Sequence, residues 1–521
     1  MSKNPCFPTQ GELVQFTFNA FGLMPRKYDP SDEFDEKSKK SFQRLLQRLG
    51  DEEGLLLDNF EKALATFHQL LTSQIADQEV CEVATGTLRD LYRSYNDMIT
   101  DEGTFLAKHL SVLYFGFSRA MVTLIESAYI RSLQHRLFCR YGLVPIEPDW
   151  FLPEIQDDSE ITWPLARVMR WIYHQASSSQ TQFHYPGKTP ESDNFIYERN
   201  LENARNWVRG ESLPSLPGLL SNFSQSIRGR KDEIRDDPDL AESIPLLLLV
   251  ARVSTAVCRE IHEAYGLEIL TQLTNDCSDL VRSLKPEVTE FKSEIMNAKG
   301  TEDLSKVDAH TWDNACAQYM RFFYFKKHEA NETLKRLRAA SPANPFKPPV
   351  IHALTEKLGR YPVISQLYPI TQAKRWNVTE AFKQMLLRGL DLKNNPATNT
   401  SDSEEFKQDL GSHDLEDQLS WLASWIDAAI AYRSEDYSVA MDLFEQAFEQ
   451  AKYRAGKAQY KLVNQYLEVC AKNDQKRRFK KGVEWARYLG ISIRWLRDKE
   501  PTEENLDFVF LIFSKATYPQ L

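Results

Sequence analysis

The side chains best suited to specific recognition in this chain fall in and just before the run Asn200 to Leu220. Arg199, Asn203, Arg205, Asn206 and Arg209 punctuate it, with Glu202 among them. Asn and Arg make bidentate hydrogen bonds to adenine and guanine edges, and Arg199 and Arg209 are placed for phosphate contacts. Leu201, Ala204 and Val208 recur at three- and four-residue steps, so Leu201 to Arg209 is expected to be an amphipathic helix. Gly210 follows it, where a left-handed cap is usual. Pro214 blocks continuation, and Ser215 can cap a second helix carrying Leu216, Leu219 and Leu220. Trp207 is the apolar anchor of this unit. It roots either an open recognition helix or an ordinary core helix.

The spacing of Trp207, Gly210, Pro214, Ser215 and Leu219 resembles the second half of a Cro/repressor-type helix-turn-helix domain. The resemblance implies that the residues before Trp207 form the recognition helix. Glu202, Asn203, Arg205 and Asn206 would then face outward, with double-stranded DNA as the partner. It covers 200–220 only. Upstream, Gly187 to Asn194 reads as a surface loop where the family has its tight turn.

Two further constellations could carry chemistry. Arg167 and His174 are seven apart, about two helical turns, and Arg321 and His328 repeat the spacing. These pairs resemble the Arg–His motif of HEPN-type ribonucleases, which implies His and Arg acting on an RNA phosphodiester. Val168 and Phe322 stand where that family usually has a polar residue. The densest basic run, Lys476, Arg477, Arg478, Lys480 and Lys481, could meet phosphate or an acidic peptide, or form a solvated corner.

Other chemistry is set aside. Pro186 to Thr189 has the end of a phosphate loop, but position 182 is Gln where the motif needs Gly. There is no dinucleotide fingerprint and no nucleophile elbow. Cys258 and His262 share a helix face without further ligands, so a buried thiol and a satisfied His are expected rather than zinc. No cofactor and no metal are expected.

The elements that must position these residues are helical. Phe60, Ala63, Leu64, Phe67, Leu70 and Leu71 form a stripe, as do Leu110 to Ala128, and Lys37 to Leu49 is another helix stopped by Gly50. Leu13 to Phe21, Trp163 to Ala176 and Thr311 to Ala339 also read as helices. The Pro- and acid-rich stretch from Pro145 to Pro164 reads as a boundary, and Leu392 to His413 as a polar, mobile connector. In the last section Ala428, Asp436, Tyr437, Ala440, Phe444 and Ala447 resemble a tetratricopeptide repeat, implying close-packed antiparallel helices and a concave partner surface.

The expected fold is therefore all-α and multi-lobed. Its parts are an N-terminal helical domain (1–145), the helix-turn-helix-like segment (160–240) and a central helical domain (241–340). A short helical connector (350–391) and tetratricopeptide-like C-terminal hairpins (415–521) complete it.

The net charge of −10 argues against wholesale coating of nucleic acid, though not against a local basic site. Seven scattered cysteines without a CxxC pair fit a reducing compartment, and the N-terminal run has no apolar signal core. No apolar run is long enough to span a bilayer, so a cytoplasmic location without membrane contact is expected. The functional expectation is a DNA-associated binding protein that also engages a protein partner through its C-terminal helices. The alternatives are a structural subunit of a larger assembly and the ribonuclease.

Overall fold

The computed structural model describes residues 10–24, 36–100, 149–302, 306–308, 311 and 379–516, less 53, 54, 77, 98, 157–159, 185–193, 229–237, 497, 498 and 500. The expected stripe from Leu110 to Ala128 lies outside the described residues, as do Arg321, His328 and nearly all of the helix expected from Thr311. The chain is all-α. Among the described residues the strand pairing is one short antiparallel ladder, β1 (Glu154–Ile155) against β2 (Ile161–Thr162).

The N-terminal helices are α1 (Gln10–Phe21), α2 (Glu36–Gly50), α3 (Leu56–Gln74) and α4 (Gln78–Asp97). The α3 stripe is buried as its spacing requires, with Phe60, Ala63, Phe67 and Leu71 fully inside. Phe18 of α1 joins the three helices, its ring 4.7 Å from Phe42 and 5.3 Å from Phe67. Each such fully buried ring contributes about 1.5–3 kcal/mol. Toward this core α2 commits Phe42 and Leu49, while Lys37, Lys40, Arg44 and Arg48 stay exposed.

The middle helices are α5 (Pro164–Gln175), α6 (Gln180–His184), α7 (Asn194–Val208), α8 (Leu216–Arg228) and the long α9 (Pro238–Ala298). Pro164 opens α5, where its missing N–H costs nothing. Gly266, at φ 82°, interrupts α9. The division expected between 240 and 241 falls inside α9. Arg252 of α9 is buried, and its guanidinium donates to the carbonyls of Pro214 (2.8 Å) and Asn19 (2.7 Å). That one side chain joins α9, the end of α1 and the turn before α8.

The stretch expected to be a boundary is packed instead. Trp150, Phe151 and Leu152 are buried, and Arg167 Nη1 donates to the carbonyls of Asp149 (3.1 Å) and Leu152 (2.8 Å). Ser278 Oγ of α9 donates to Asp149 Oδ2 at 2.5 Å. Prolines and acids flank an apolar triplet here, and the triplet decides.

The C-terminal lobe holds α10 (Glu380–Asn394), α11 (Thr400–Ser412), α12 (Glu416–Arg433), α13 (Tyr437–Ala451), α14 (Ala458–Lys472), α15 (Lys476–Leu489) and α16 (Glu503–Lys515). The expected mobile connector is in fact the end of α10 and all of α11. Asn399 and Asp402 form a reciprocal capping box, and Ser403, Phe406 and Leu410 bury one face.

One turn recurs three times, between α11 and α12, α12 and α13, and α14 and α15. Its middle residue is an acid in the left-handed region: Asp414 (φ 55°), Glu435 (φ 61°) and Asp474 (φ 53°). Each turn ends with the same bond from the following N–H back across the helix end, Leu415 to Leu410 (2.9 Å), Asp436 to Ala431 (3.1 Å) and Gln475 to Cys470 (2.8 Å). The result is tight antiparallel hairpins. Ala428, Ala440, Phe444 and Ala447 are fully buried between them.

Contacts spanning most of the chain join this lobe to the N-terminal helices. Tyr92 Oη and Asn96 Nδ2 both donate to the Tyr488 carbonyl, at 3.0 and 2.9 Å. Gln459 Nε2 donates to the Ile99 carbonyl at 3.2 Å, and Lys452 Nζ to Glu52 at 2.5 Å. Among the described residues, no helix is long and apolar enough to cross a membrane.

Candidate functional site

Helices α7 and α8 meet through a glycine-capped turn. Gly210 has φ 72°, and a Cβ there would lie 2.6 Å from the Trp163 indole, so both conformation and space require glycine. Glu211 N–H donates to the Asn206 carbonyl at 2.9 Å, closing α7. Ser215 Oγ accepts from the Gly218 N–H at 3.2 Å and so caps α8. Trp207, Leu201, Ala204, Leu216 and Leu219 are buried, whereas Leu220 is half-buried. Asn200 faces inward, donating to Gln225 Oε1 and accepting from Asn222, both at 3.0 Å.

The opposite flank of α7 is open. Arg199, Arg205 and Arg209 are exposed, and Asn203 and Asn206 are half-buried. Glu198, Glu202 and Glu211 are exposed among them, and Arg209 lies 3.7 Å from Glu211. Three guanidiniums against three carboxylates leave this face without net charge, so it offers hydrogen-bonding groups rather than a strong field. Residues 185–193 separate α6 from α7, where a helix-turn-helix has a turn of about three or four residues.

The other sequence-derived residues are dispersed. Arg167 is occupied by the Asp149 and Leu152 carbonyls and by the Asp149 carboxylate at 3.6 Å, while His174 is exposed. The basic run is largely neutralised. Arg478 meets Asp442 (2.8 Å) and Glu445 (3.1 Å), Lys480 meets Glu503 (2.6 Å), Lys476 meets Asp507, and Lys481 meets Glu449. It straps α15 to α13 and α16, and Arg477 alone of the five points to solvent without a carboxylate among the described residues. Cys258 is buried with its thiol pushed up to about 12 by burial, and His262 lies edge-on to Trp163 at 6.1 Å. Among the described residues no three potential ligands gather around a metal position.

Three further groupings emerge from the structure. Tyr173, His184 and Ser226 form a buried chain between α5, α6 and α8. The Ser226 hydroxyl donates to the Asn222 carbonyl (3.0 Å), so it accepts from His184 Nδ1–H (3.1 Å), and His184 Nε2 accepts from the Tyr173 hydroxyl (2.7 Å). Desolvation holds His184 neutral, its pKa pushed down to about 3, and raises that of Tyr173. A Ser–His pair of this kind could activate a nucleophile, but these groups are closed to solvent and no substrate reaches them.

In the C-terminal lobe, buried Lys393 lies 4.7 Å from the Trp425 ring centre. Desolvation, then nearby Lys461 and Arg433, push its pKa down to about 6. Finally, α2 and α3 enclose a groove of about 940 Å³ lined by Lys37, Lys40, Arg44, Arg48 and Lys62. A sequence reader could have found its stripe, because Lys37, Lys40, Arg44 and Arg48 recur at helical spacing. Compared with protein-family models, with curated proteins and with solved structures, the chain matches none.

Proposed function

We propose that the chain is a binding protein whose C-terminal lobe, a tetratricopeptide-like stack of helical hairpins, carries a protein partner on the outward face of α16. The observation that carries this reading is α16. Its sequence, Leu506 to Phe513, is apolar on every side but for Asp507, yet Phe508 and Leu511 stand 51% and 52% exposed. A helix apolar all round belongs in an interior, and an outward apolar face of this kind marks a contact surface. Lys480–Glu503 and Lys476–Asp507 fix α16 on α15, so the outward face is held in place. A photo-crosslinking residue installed at position 508 in living cells should yield one predominant adduct protein. That adduct should vanish with Leu511→Glu and be absent when the probe sits at Glu435. Diffuse labelling, or none, would sink the reading.

A second reading is contact with duplex DNA through α7. What supports it is the open flank described above, with Arg199, Arg205 and Arg209 outward while Trp207 roots the helix in the core. In a salt-titrated mobility shift, Asn203→Ala with Arg205→Ala should lower specific affinity by about 1–3 kcal/mol per lost base contact. Arg199→Ala and Arg209→Ala should weaken all sequences alike and flatten the salt dependence. Absence of binding at low salt, or binding indifferent to these changes, disposes of it.

A further inference from the structure

The groove between α2 and α3 breaks a local rule without compensation among the described residues. Lys37, Lys40, Arg44 and Arg48 run along one face of α2, and Lys62 faces them from α3. Lys40 with Arg44, and Arg44 with Arg48, are like charges four apart, a spacing that weakens a helix. Among the described residues no acid lines the groove, and none of the five is paired with a carboxylate. The contrast with the run at 476–481 is direct, since there nearly every cation has its acid. In a chain of net charge −10, a basic cleft that no described acid neutralises points to an anionic occupant.

We propose that this groove docks an acidic, amphipathic segment of a partner protein. The floor decides between a peptide and a nucleic acid. Its apolar carbon is that of half-buried Leu45, whereas Phe42 is 3% exposed and committed to the core. Leu45 is therefore available to a leucine or phenylalanine, while no aromatic face in the lining is open for a base to stack on. The stripe from Lys37 to Arg48 spans about 16 Å of helix axis, roughly three turns, which suits acids at three- and four-residue intervals on a docked helix. A long polyanion would have to continue over the acidic remainder of the molecule, whereas a short segment ends with the groove. The volume, about 940 Å³, lies at the upper end for enclosed ligand sites. This inference rests on neither α7 nor α16.

The experiment uses the full chain and fluorescence anisotropy. The probes are a labelled fourteen-residue peptide with Glu on one helical face and Leu on the other, the same peptide with Glu replaced by Gln, and a labelled fourteen-nucleotide oligothymidylate. The acidic peptide should bind at low salt and lose affinity as salt rises, and the Gln peptide should bind at least about tenfold more weakly. Arg44→Glu with Arg48→Glu should weaken the acidic peptide about tenfold or more. Both side chains are exposed, so an unchanged circular dichroism spectrum and melting curve accompany the loss. Failure of the acidic peptide to bind, or binding untouched by the charge reversal, overturns the proposal. So does tighter binding of the oligonucleotide that the same charge reversal abolishes, because it makes the groove a nucleic-acid site. Oligonucleotide binding that survives the reversal belongs to another surface and leaves the peptide result to stand.

Discussion

Lys452→Met is expected to destabilise the protein by about 3–5 kcal/mol in urea unfolding, the range for breaking a buried ion pair from one side. The Lys452 side chain is 7% exposed, with Nζ 2.5 Å from Glu52 and 3.0 Å from Glu449. It also lies 4.8 Å from the Trp485 ring centre and 5.4 Å from that of Phe448, so methionine keeps much of the packing and loses the charge. The Tyr453 hydroxyl donates to Glu52 from the same side. Burial raises the Glu52 pKa more than Lys452 lowers it, while the carboxylates raise that of Lys452 despite its burial. The loss comes from leaving that carboxylate buried without its cation.

The pH dependence of the variant follows. With its folded pKa raised further above the unfolded value, Glu52 binds more protons in the native state than in the unfolded one. Stability of the variant then falls as pH rises through that raised pKa, and its deficit against wild type is smaller at pH 5 than at pH 8. Glu52→Leu added to Lys452→Met should recover part of the loss at pH 8. A single-variant cost below about 1 kcal/mol, or a deficit independent of pH, would show that the pair is not buried as described.

The second large effect concerns His184. Its imidazole is fully enclosed and neutral, its pKa pushed down to about 3, whereas in the unfolded chain it titrates near its ordinary value of about 6.5. Between these values the unfolded state holds a proton that the native state refuses, so unfolding becomes easier as pH falls. At about 1.4 kcal/mol per pH unit, wild type loses about 3 kcal/mol from this group between pH 7 and pH 4.

His184→Gln should be less stable than wild type at pH 7, because Tyr173 and Ser226 lose a well-placed partner. Lacking a titrating ring, it should not share the acid-linked loss. The gap between the two proteins should therefore shrink by about 3 kcal/mol on going to pH 4. The other histidines cancel in that difference. A gap constant with pH would mean that His184 is protonated in both states.

The parts of the fold legible in the sequence were those carried by local spacing. Phe60 to Leu71 announced α3 because an apolar residue every third or fourth position has few other uses. Gly210, Pro214 and Ser215 announced the α7–α8 turn because each has a steric or hydrogen-bonding preference of its own. The all-α class followed from such stripes.

Misreadings arose where composition was weighed above a small apolar set. The α11 segment looked too polar to fold, yet Asn399 and Asp402 cap it and Phe406 with Leu410 anchor it. Trp150 to Leu152 was hidden among prolines and acids. The pairings of Glu52 with Lys452 and of His184 with Ser226 were not legible at all, because nothing local in either partner marks the other. The basic run at 476–481 shows the reverse limit, since its charge was visible but its partners on α13 and α16 were not.

The bonds from Glu52 to Lys452 and from Tyr92 to Tyr488 join positions about 400 residues apart. On the ribosome, at 5–20 residues per second, α3 and α4 emerge about 20–80 s before the helices that cover them. For that interval Tyr92 and the carboxylate of Glu52 lack their native cover, and the nascent chain offers a sticky flank to chaperones. The early helices α3 and α4 are thus closed over late by α13 to α15, and products truncated before residue 452 by stalled translation should be markedly more prone to aggregate than chains that contain both parts.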